Sequence, residues 1–390
     1  MNTGKTLVIT GPYEVDIKEY PVPKAADDGL VIQVEAALIC GSDGHFIKVK
    51  PDAPFCDGHE FAGKIVSMGK DANRFIHCYG GDLKLGDRIA VYPHITCGKC
   101  PSCMSHGAGI CGVCDDDFIY GGPSPHQNDP GVPNTNPDLY PHFKGGFGDY
   151  VYIYPETFVW KIPDDMPGEI AALMDPVAVA MRAIEMAMTE SGTLQEGIST
   201  KTHALVIGAG PIGIIAAMIL RHMGVEQLVI TDMIDSKLEK ARELARVDRA
   251  VNLSGMTDQE CIQAVIQATD GGADLVLQCA NHWSATLQGL KMVKKLGTYI
   301  EVGLPMSMLN THEVTVSLPQ LIFESNARIC GLIANSPSTF DSAFRLLKKH
   351  REIPFGELIT HRFDKLEDYL YTIRKMPEEG YLKGAYIPKK

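Results

Sequence analysis

Four cysteines crowd one short stretch, Cys97-x2-Cys100-x2-Cys103-x7-Cys111. Thiolates at this density suit a tetrahedral Zn²⁺ and leave no coordination position open, so the chemistry they predict is structural. An iron–sulfur cluster is the competing use of such thiols. The seven-residue gap and the lack of a proline after Cys111 fit it less well. Cys114, three residues further on, competes with Cys111 for the fourth place. A looser set is Cys40, His59 and Glu60. Cys40 opens Cys-Gly-Ser-Asp-Gly-His (40–45), and His59–Glu60 sits in Gly-His-Glu-Phe-Ala-Gly (58–63). Taken alone, a cysteine and a histidine at this separation are more often core and surface residues than ligands. Asp175, taken alone, reads as a helix N-cap ahead of Pro176 at the first helical position.

A third constellation is Gly208-Ala-Gly210-Pro211-Ile212-Gly213, which follows an apolar run and opens a helical pattern. In that context the three glycines serve a tight turn, close approach to a pyrophosphate and close helix–strand packing. The helix N-terminus supplies free N–H groups for the phosphates. Asp232 ends the next apolar run, 19 residues after Gly213. Its carboxylate would accept from the ribose hydroxyls and repel a 2′-phosphate, which favours NAD over NADP. Lys237 would flank the same ribose.

These residues need elements to hold them. The first ~175 residues read as β-rich, with short β-branched runs at Leu30–Ala36, Gly63–Met68, Arg88–Tyr92 and Tyr150–Tyr154 separated by turn residues. Residues 115–149, with Gly121–Gly122–Pro123–Ser124–Pro125 and Asn134–Thr135–Asn136–Pro137, read as a long irregular loop. Its Tyr120, His126, Tyr140 and His142 are candidates to line a substrate cleft or a subunit contact. From about residue 176, strands at His203–Ile207, Leu228–Thr231, Asp274–Gln278 and Thr298–Val302 alternate with helices. Those helices are expected at Pro211–Met223, Lys237–Arg246, Cys261–Ala268 behind a Thr257/Glu260 capping box, and 283–295. Such βαβ repetition predicts an α/β doubly wound parallel sheet.

Composition sets outer limits. The chain has 390 residues, 45% hydrophobic and 22% charged, which suits two domains with real cores. Its net charge of −12, without a Lys/Arg block, argues against nucleic-acid or anionic-membrane partners. The eleven cysteines cannot all pair, and five of them lie within 97–114. The longest uncharged apolar run, Ala204–Leu220, is shorter than a membrane span and is broken by glycines and a proline. No secretory leader pattern is visible. The expectation is a soluble, cytoplasmic protein whose cysteines are free or bind metal.

Together these motifs resemble the medium-chain, zinc-dependent alcohol/polyol dehydrogenase superfamily across nearly the whole chain. Gly58–Gly63 with Gly69 is similar to its zinc signature, and Gly145-Gly146-Phe147-Gly148-Asp149-Tyr150 to one of its strand entries. The Asp175–Pro176 of Ala171–Val179 resembles the sorbitol and threonine dehydrogenase branches, where simple alcohol dehydrogenases carry a second cysteine. The resemblance implies a GroES-like catalytic domain at 1–177 and 327–390, with a structural-zinc lobe at 93–115. A Rossmann domain at 178–326 would be inserted between its parts. It implies a catalytic Zn²⁺ held by Cys40, His59 and Asp175, with Glu60 as an alternating or outer ligand, and a second Zn²⁺ on Cys97, Cys100, Cys103 and Cys111. Asp43 would orient a ligand imidazole, Ser42 would take the proton of the alcohol, and His45 would pass it to solvent. The backbone at Val302 and Leu304 would hold the carboxamide of NAD, and Arg328 would reach the pyrophosphate. The implied partner is a small secondary alcohol or polyol, or its ketone, in a homodimer or homotetramer. An L-threonine-like hydroxy amino acid is the nearest alternative. A zinc-free quinone or enone reductase and a non-enzymatic relative are others, but Cys40, His59 and an acid at 175 are all present.

Overall fold

The computed structural model describes residues 2–389 apart from 108, 110, 111, 124–131, 189–197, 304–316, 318, 320–322, 324 and 334. The chain divides into two compact units, Met1–Ala178 with Asn335–Lys390, and Val179–Ala334.

Leu30–Leu38 is apolar almost throughout because its strand has neighbours along both edges and packs into the core. It pairs antiparallel with Glu60–Met68, with Tyr150–Ile153 and with Lys383–Tyr386. The wider sheet runs Ile359–Phe363, Lys383–Tyr386, Leu30–Leu38, Glu60–Met68, Arg88–Val91, Phe158–Lys161 and His77–Tyr79. Register then decides what meets at one end. Leu38 pairs with Glu60 and also with Ala385. Cys40 lies just past the first strand, His59 just before the second, and Lys383 two residues before Ala385. The polar residues therefore converge where three strands end. A separate two-stranded ladder pairs His94–Thr96 with Asp117–Ile119, Thr96 opposite Asp117, and frames the cysteine-rich stretch.

In the second unit, the strands are β1 (His203–Ile207), β2 (Gln227–Asp232), β3 (Arg249–Asn252), β4 (Ala273–Gln278), β5 (Val293–Glu301) and β6 (Arg328–Gly331). They form one parallel sheet in the order β3-β2-β1-β4-β5-β6, that of a doubly wound dinucleotide-binding fold. The connecting helices are α1 (Pro211–Met223), α2 (Asp235–Ala245), α3 (Asp258–Ala268) and α4 (Trp283–Leu290). Thr257 and Glu260 form the capping box at the start of α3.

Three expectations shift. The chain returns to the first unit at 335 rather than 327, because Arg328–Gly331 is still a strand of the parallel sheet, with Arg328 opposite Thr298. The helix expected over 283–295 ends at Leu290, because Val293 already pairs with Ala273. The stretch 115–149 is not wholly irregular: Asp117–Ile119 is a strand. Tyr120, a candidate for a substrate cleft, is instead a core residue. Its hydroxyl bonds to Thr157 at 2.8 Å, and its ring meets Phe61, Phe118 and Tyr154. Tyr140 reaches Lys24 O at 2.9 Å, and His142 stacks on Tyr20; His126 lies outside the described residues. Among the described residues, no helix is long and apolar enough to cross a membrane.

Candidate functional site

At the shared strand ends, one ligand atom each from Cys40, His59 and Glu60 lies within 4.8 Å of the others. His59 and Glu60 are buried. Asp43, wholly buried, ties two of these residues together. Its Oδ2 accepts from the backbone N–H of Cys40 at 2.8 Å, and its Oδ1 lies 3.3 Å from His59 Nδ1. The other ring nitrogen of His59, Nε2, lies 3.5 Å from Ser42 Oγ and is the one that could hold a metal. His45 shares the short helix Asp43–Phe46, where burial pulls its imidazole below the usual histidine range. For His59, burial works against the charged form, but the charges of Asp43 and Cys40 outweigh it and raise the imidazole well above its ordinary value.

Asp175 departs from its expected place. It sits in the first turn of the helix Met174–Met188 rather than capping it, and outside the Cys40–His59–Glu60 group. Its Oδ1 accepts from Asn335 Nδ2 at 3.0 Å, and its carboxylate is a neighbouring charge. That charge helps to raise the carboxyl of Glu60, although burial contributes more.

Residues without any local signal complete the surroundings. Lys383 Nζ lies 2.9 and 2.7 Å from the two oxygens of Glu60 and donates to Ile39 O at 3.2 Å. Tyr369 donates a short hydrogen bond to buried Asp57, whose carboxyl is held up by burial and by the nearby charge of Asp43. Both come from the C-terminal segment, Lys383 placed by strand register and Tyr369 by the helix Tyr369–Arg374. Asp57, by contrast, directly precedes the Gly58–His59–Glu60 motif in sequence.

One thiolate, one imidazole and one carboxylate suit a Zn²⁺ with an open fourth position, the donor pattern of a catalytic rather than a structural site. In the lobe, the sulfurs of Cys97, Cys100, Cys103 and Cys114 lie within 4.8 Å of one another. Cys111 lies outside the described residues. Burial raises the thiols of Cys103 and Cys114, while the backbone N–H groups of Asp115 and Cys103 lower Cys100 to about 7. Four thiolates so close are stable only around a cation, so this donor set also fits Zn²⁺.

In the parallel-sheet unit, Gly208 has φ +98°, and a Cβ on Gly213 would meet Gly208 O at 1.9 Å. Above Gly210, at the N-cap of α1, a Cβ would meet nothing within 4 Å, which leaves room for a phosphate. Asp232 ends β2 and locks the loop. Its Oδ2 accepts from Ala209 N at 2.7 Å, and its Oδ1 from Met233 N and Ile234 N at 2.8 and 3.0 Å. Pro211 and Ile212 open α1, and Lys237 lies in the first turn of α2. Gln278 is an unforeseen hub at the end of β4. Its carbonyl accepts from Val302 N at 2.8 Å and from Gly303 N at 2.6 Å. Its side chain donates to Ala280 O at 2.9 Å and Glu301 Oε1 at 2.7 Å. Leu304 lies outside the described residues, and Arg328 is placed on β6.

Two family models match: the alcohol dehydrogenase GroES-like domain over residues 26–164, and the zinc-binding dehydrogenase domain over residues 211–349. The chain is 26% identical over 380 residues to L-threonine 3-dehydrogenase of Bacillus subtilis, covering 95% of this chain and 94% of that one. It is 26% identical over 376 residues to D-xylulose reductase of Saccharomyces cerevisiae, covering 93% and 91%. The crystal structure of an alcohol dehydrogenase from Thermotoga maritima superposes with TM-score 0.82 over 100% of both chains at 24% identity.

Proposed function

Because the chain belongs to the zinc-dependent medium-chain alcohol/polyol dehydrogenase superfamily, we propose that it interconverts a secondary alcohol or polyol and its ketone, with NAD as hydride acceptor. The observation that carries this reading is the convergence of Cys40, His59 and Glu60 on one point. The second unit separately supplies a glycine loop locked by an acid at the end of β2. When bound, Zn²⁺ acidifies the alcohol and NAD accepts the hydride.

The chain's own residues do the rest. Cys40, His59 and Glu60 would hold the metal, with Asp43 fixing the orientation of the first two. Ser42 Oγ, 3.5 Å from Nε2 of His59, would take the proton of the alcohol, and His45 would carry it outward. In this reading Asp175 is an electrostatic neighbour in the resting state. Gly208, Gly210 and Gly213 would admit the pyrophosphate. Asp232, already bonded to three backbone N–H groups, would present its remaining lone pairs to the ribose and exclude a 2′-phosphate. The reading extends to one catalytic and one structural zinc per chain, and to a cytoplasmic homodimer or homotetramer, as the family resemblance implies.

A second reading, oxidation of a hydroxy amino acid, is favoured by the similarity to L-threonine 3-dehydrogenase. The experiment that separates them is an NAD⁺ reduction screen over polyols, cyclic alcohols, amino alcohols and hydroxy acids, with zinc measured on the same sample. NADH formed with polyols or secondary alcohols supports the first reading, and turnover confined to L-threonine or a similar amino alcohol supports the second. Zinc-loaded protein that forms no NADH with any of them would sink both.

A further inference from the structure

We propose that Glu301, at the end of β5, is a positioning residue for the nicotinamide half of the cofactor and acts through Gln278. The inference deepens the NAD reading and rests on it.

Strand order gives the direction. The glycine loop follows β1 and Asp232 ends β2, so the pyrophosphate would lie over β1 and the adenosine ribose over β2. The strand order reverses between β1 and β4, the point where a dinucleotide crosses such a sheet. The second mononucleotide would then lie over the carboxyl ends of β4 and β5. Gln278 ends β4, Glu301 ends β5, and the two are register partners.

Hydrogen bonds tie these two strand ends together. One oxygen of Glu301 accepts from the hydroxyl of Tyr299, and the other accepts from Gln278 Nε2 at 2.7 Å. Gln278 Nε2 also donates to Ala280 O at 2.9 Å, and the side-chain oxygen of Gln278 accepts from Ala280 N, which fixes both ends of the amide. Gln278 and Tyr299 are buried, where each donor needs a protein acceptor. The amide held in this way backs the next residues of the chain. A Cβ on Gly303 would meet Gln278 Nε2 at 2.8 Å and Ala280 O at 2.1 Å. The N–H groups of Val302 and Gly303 both donate to the backbone carbonyl of Gln278. The peptide that leaves β5 is thus set against Gln278 at the strand ends where the nicotinamide would rest. Without the carboxylate, the amide loses its charged partner and the turn at 302–303 loses its backing.

Glu301→Leu and Glu301→Gln test this on the full-length, zinc-loaded protein, with affinities for NAD⁺, NADH and ADP-ribose measured by calorimetry. ADP-ribose carries the adenosine, the pyrophosphate and the second ribose but no nicotinamide. A general loosening of the unit would weaken all three ligands alike. The expected result for E301L is about a ten-fold loss for NAD⁺ and NADH, the scale of one hydrogen bond to a charged group, with ADP-ribose held within about two-fold. E301Q, which keeps an oxygen for Gln278, should lose less. Unchanged NAD⁺ and NADH affinities in E301L overturn the proposal, as does an equal loss for ADP-ribose. If E301L fails to fold, Tyr299→Phe, which removes one of the two donors to the carboxylate, is read by the same criteria. A wild-type protein that binds neither NAD⁺ nor ADP-ribose overturns the NAD reading itself, and the proposal with it.

Discussion

Lys383 and Glu60 form an ion pair inside the first unit, with the ammonium 2.9 and 2.7 Å from the two carboxylate oxygens and both side chains almost wholly buried. The lysine also donates to Ile39 O, so it joins the strand end before Cys40 to the acid after His59. Such a pair need not stabilise the fold against an apolar substitute, but removing one partner leaves a charge in a dry interior. Lys383→Met is therefore expected to cost about 3–5 kcal/mol in thermal or denaturant unfolding. Lys383→Arg keeps the charge and should lose far less. The double variant Lys383→Met/Glu60→Gln should recover part of the loss, and a purely additive double variant would show that the two side chains are not coupled.

The placement of Asp175 yields a second test. Asn335 holds its carboxylate, and Cys40, His59 and Glu60 cluster without it. Glu60→Gln should release the catalytic zinc to a chelator at least about ten-fold faster, on the scale seen when metal-site partners are lost. Asp175→Asn retains the amide contact geometry and should leave that rate near wild type. The opposite ranking would return Asp175 to the resting ligand set.

A third prediction concerns the cofactor. Asp232 supplies the acceptors that fix the loop at Ala209, and in the proposed reading its negative charge would exclude a 2′-phosphate. Asp232→Asn keeps one carbonyl acceptor and removes the charge. A hydrogen bond to a charged group contributes roughly 1.5–3 kcal/mol, so preference for NAD over NADP should fall by about ten- to a hundred-fold. The check is kcat/KM for both cofactors, with the unfolding midpoint measured alongside to separate a loosened loop from altered recognition.

Much of this arrangement was legible in the sequence, for reasons that differ by residue. Gly208, Gly213 and Asp232 are separated by one strand and one helix, so local pattern was enough to relate them. The box at Thr257 and Glu260 is likewise local. Lys383 and Tyr369 had no such signal. Their partners are more than 300 residues away in sequence, and only the tertiary fold brings them to the site, Lys383 through the strand beside Leu30–Leu38 and Tyr369 through the helix Tyr369–Arg374. Tyr120 misled because it follows three residues of strand in a stretch rich in glycine and proline, where nothing local signals that Thr157 and three rings will enclose it. The strand Arg328–Gly331 was missed because it is four residues long and follows a stretch without alternation.

The last prediction follows from Lys144, a buried lysine whose ammonium donates to two backbone carbonyls, Asn134 O and Asn136 O, each at 2.6 Å. Burial pulls it from the ordinary 10.5 down to about 8. Between about pH 8 and 10.5 the unfolded chain thus holds a proton at this position that the folded chain has released. Stability then rises with pH across that window, and the penalty for burying the charge is fully present below it. The wild type should show a pH slope of stability more positive than that of Lys144→Met by up to about 1.4 kcal/mol per pH unit in this range. The difference should vanish above pH 10.5. Chemical unfolding of both proteins at intervals from pH 7 to 11 reads the difference directly, and the comparison cancels the other groups that titrate there. Parallel curves would mean that Lys144 keeps its ordinary proton affinity in the folded chain, and that the two carbonyls compensate fully for its burial.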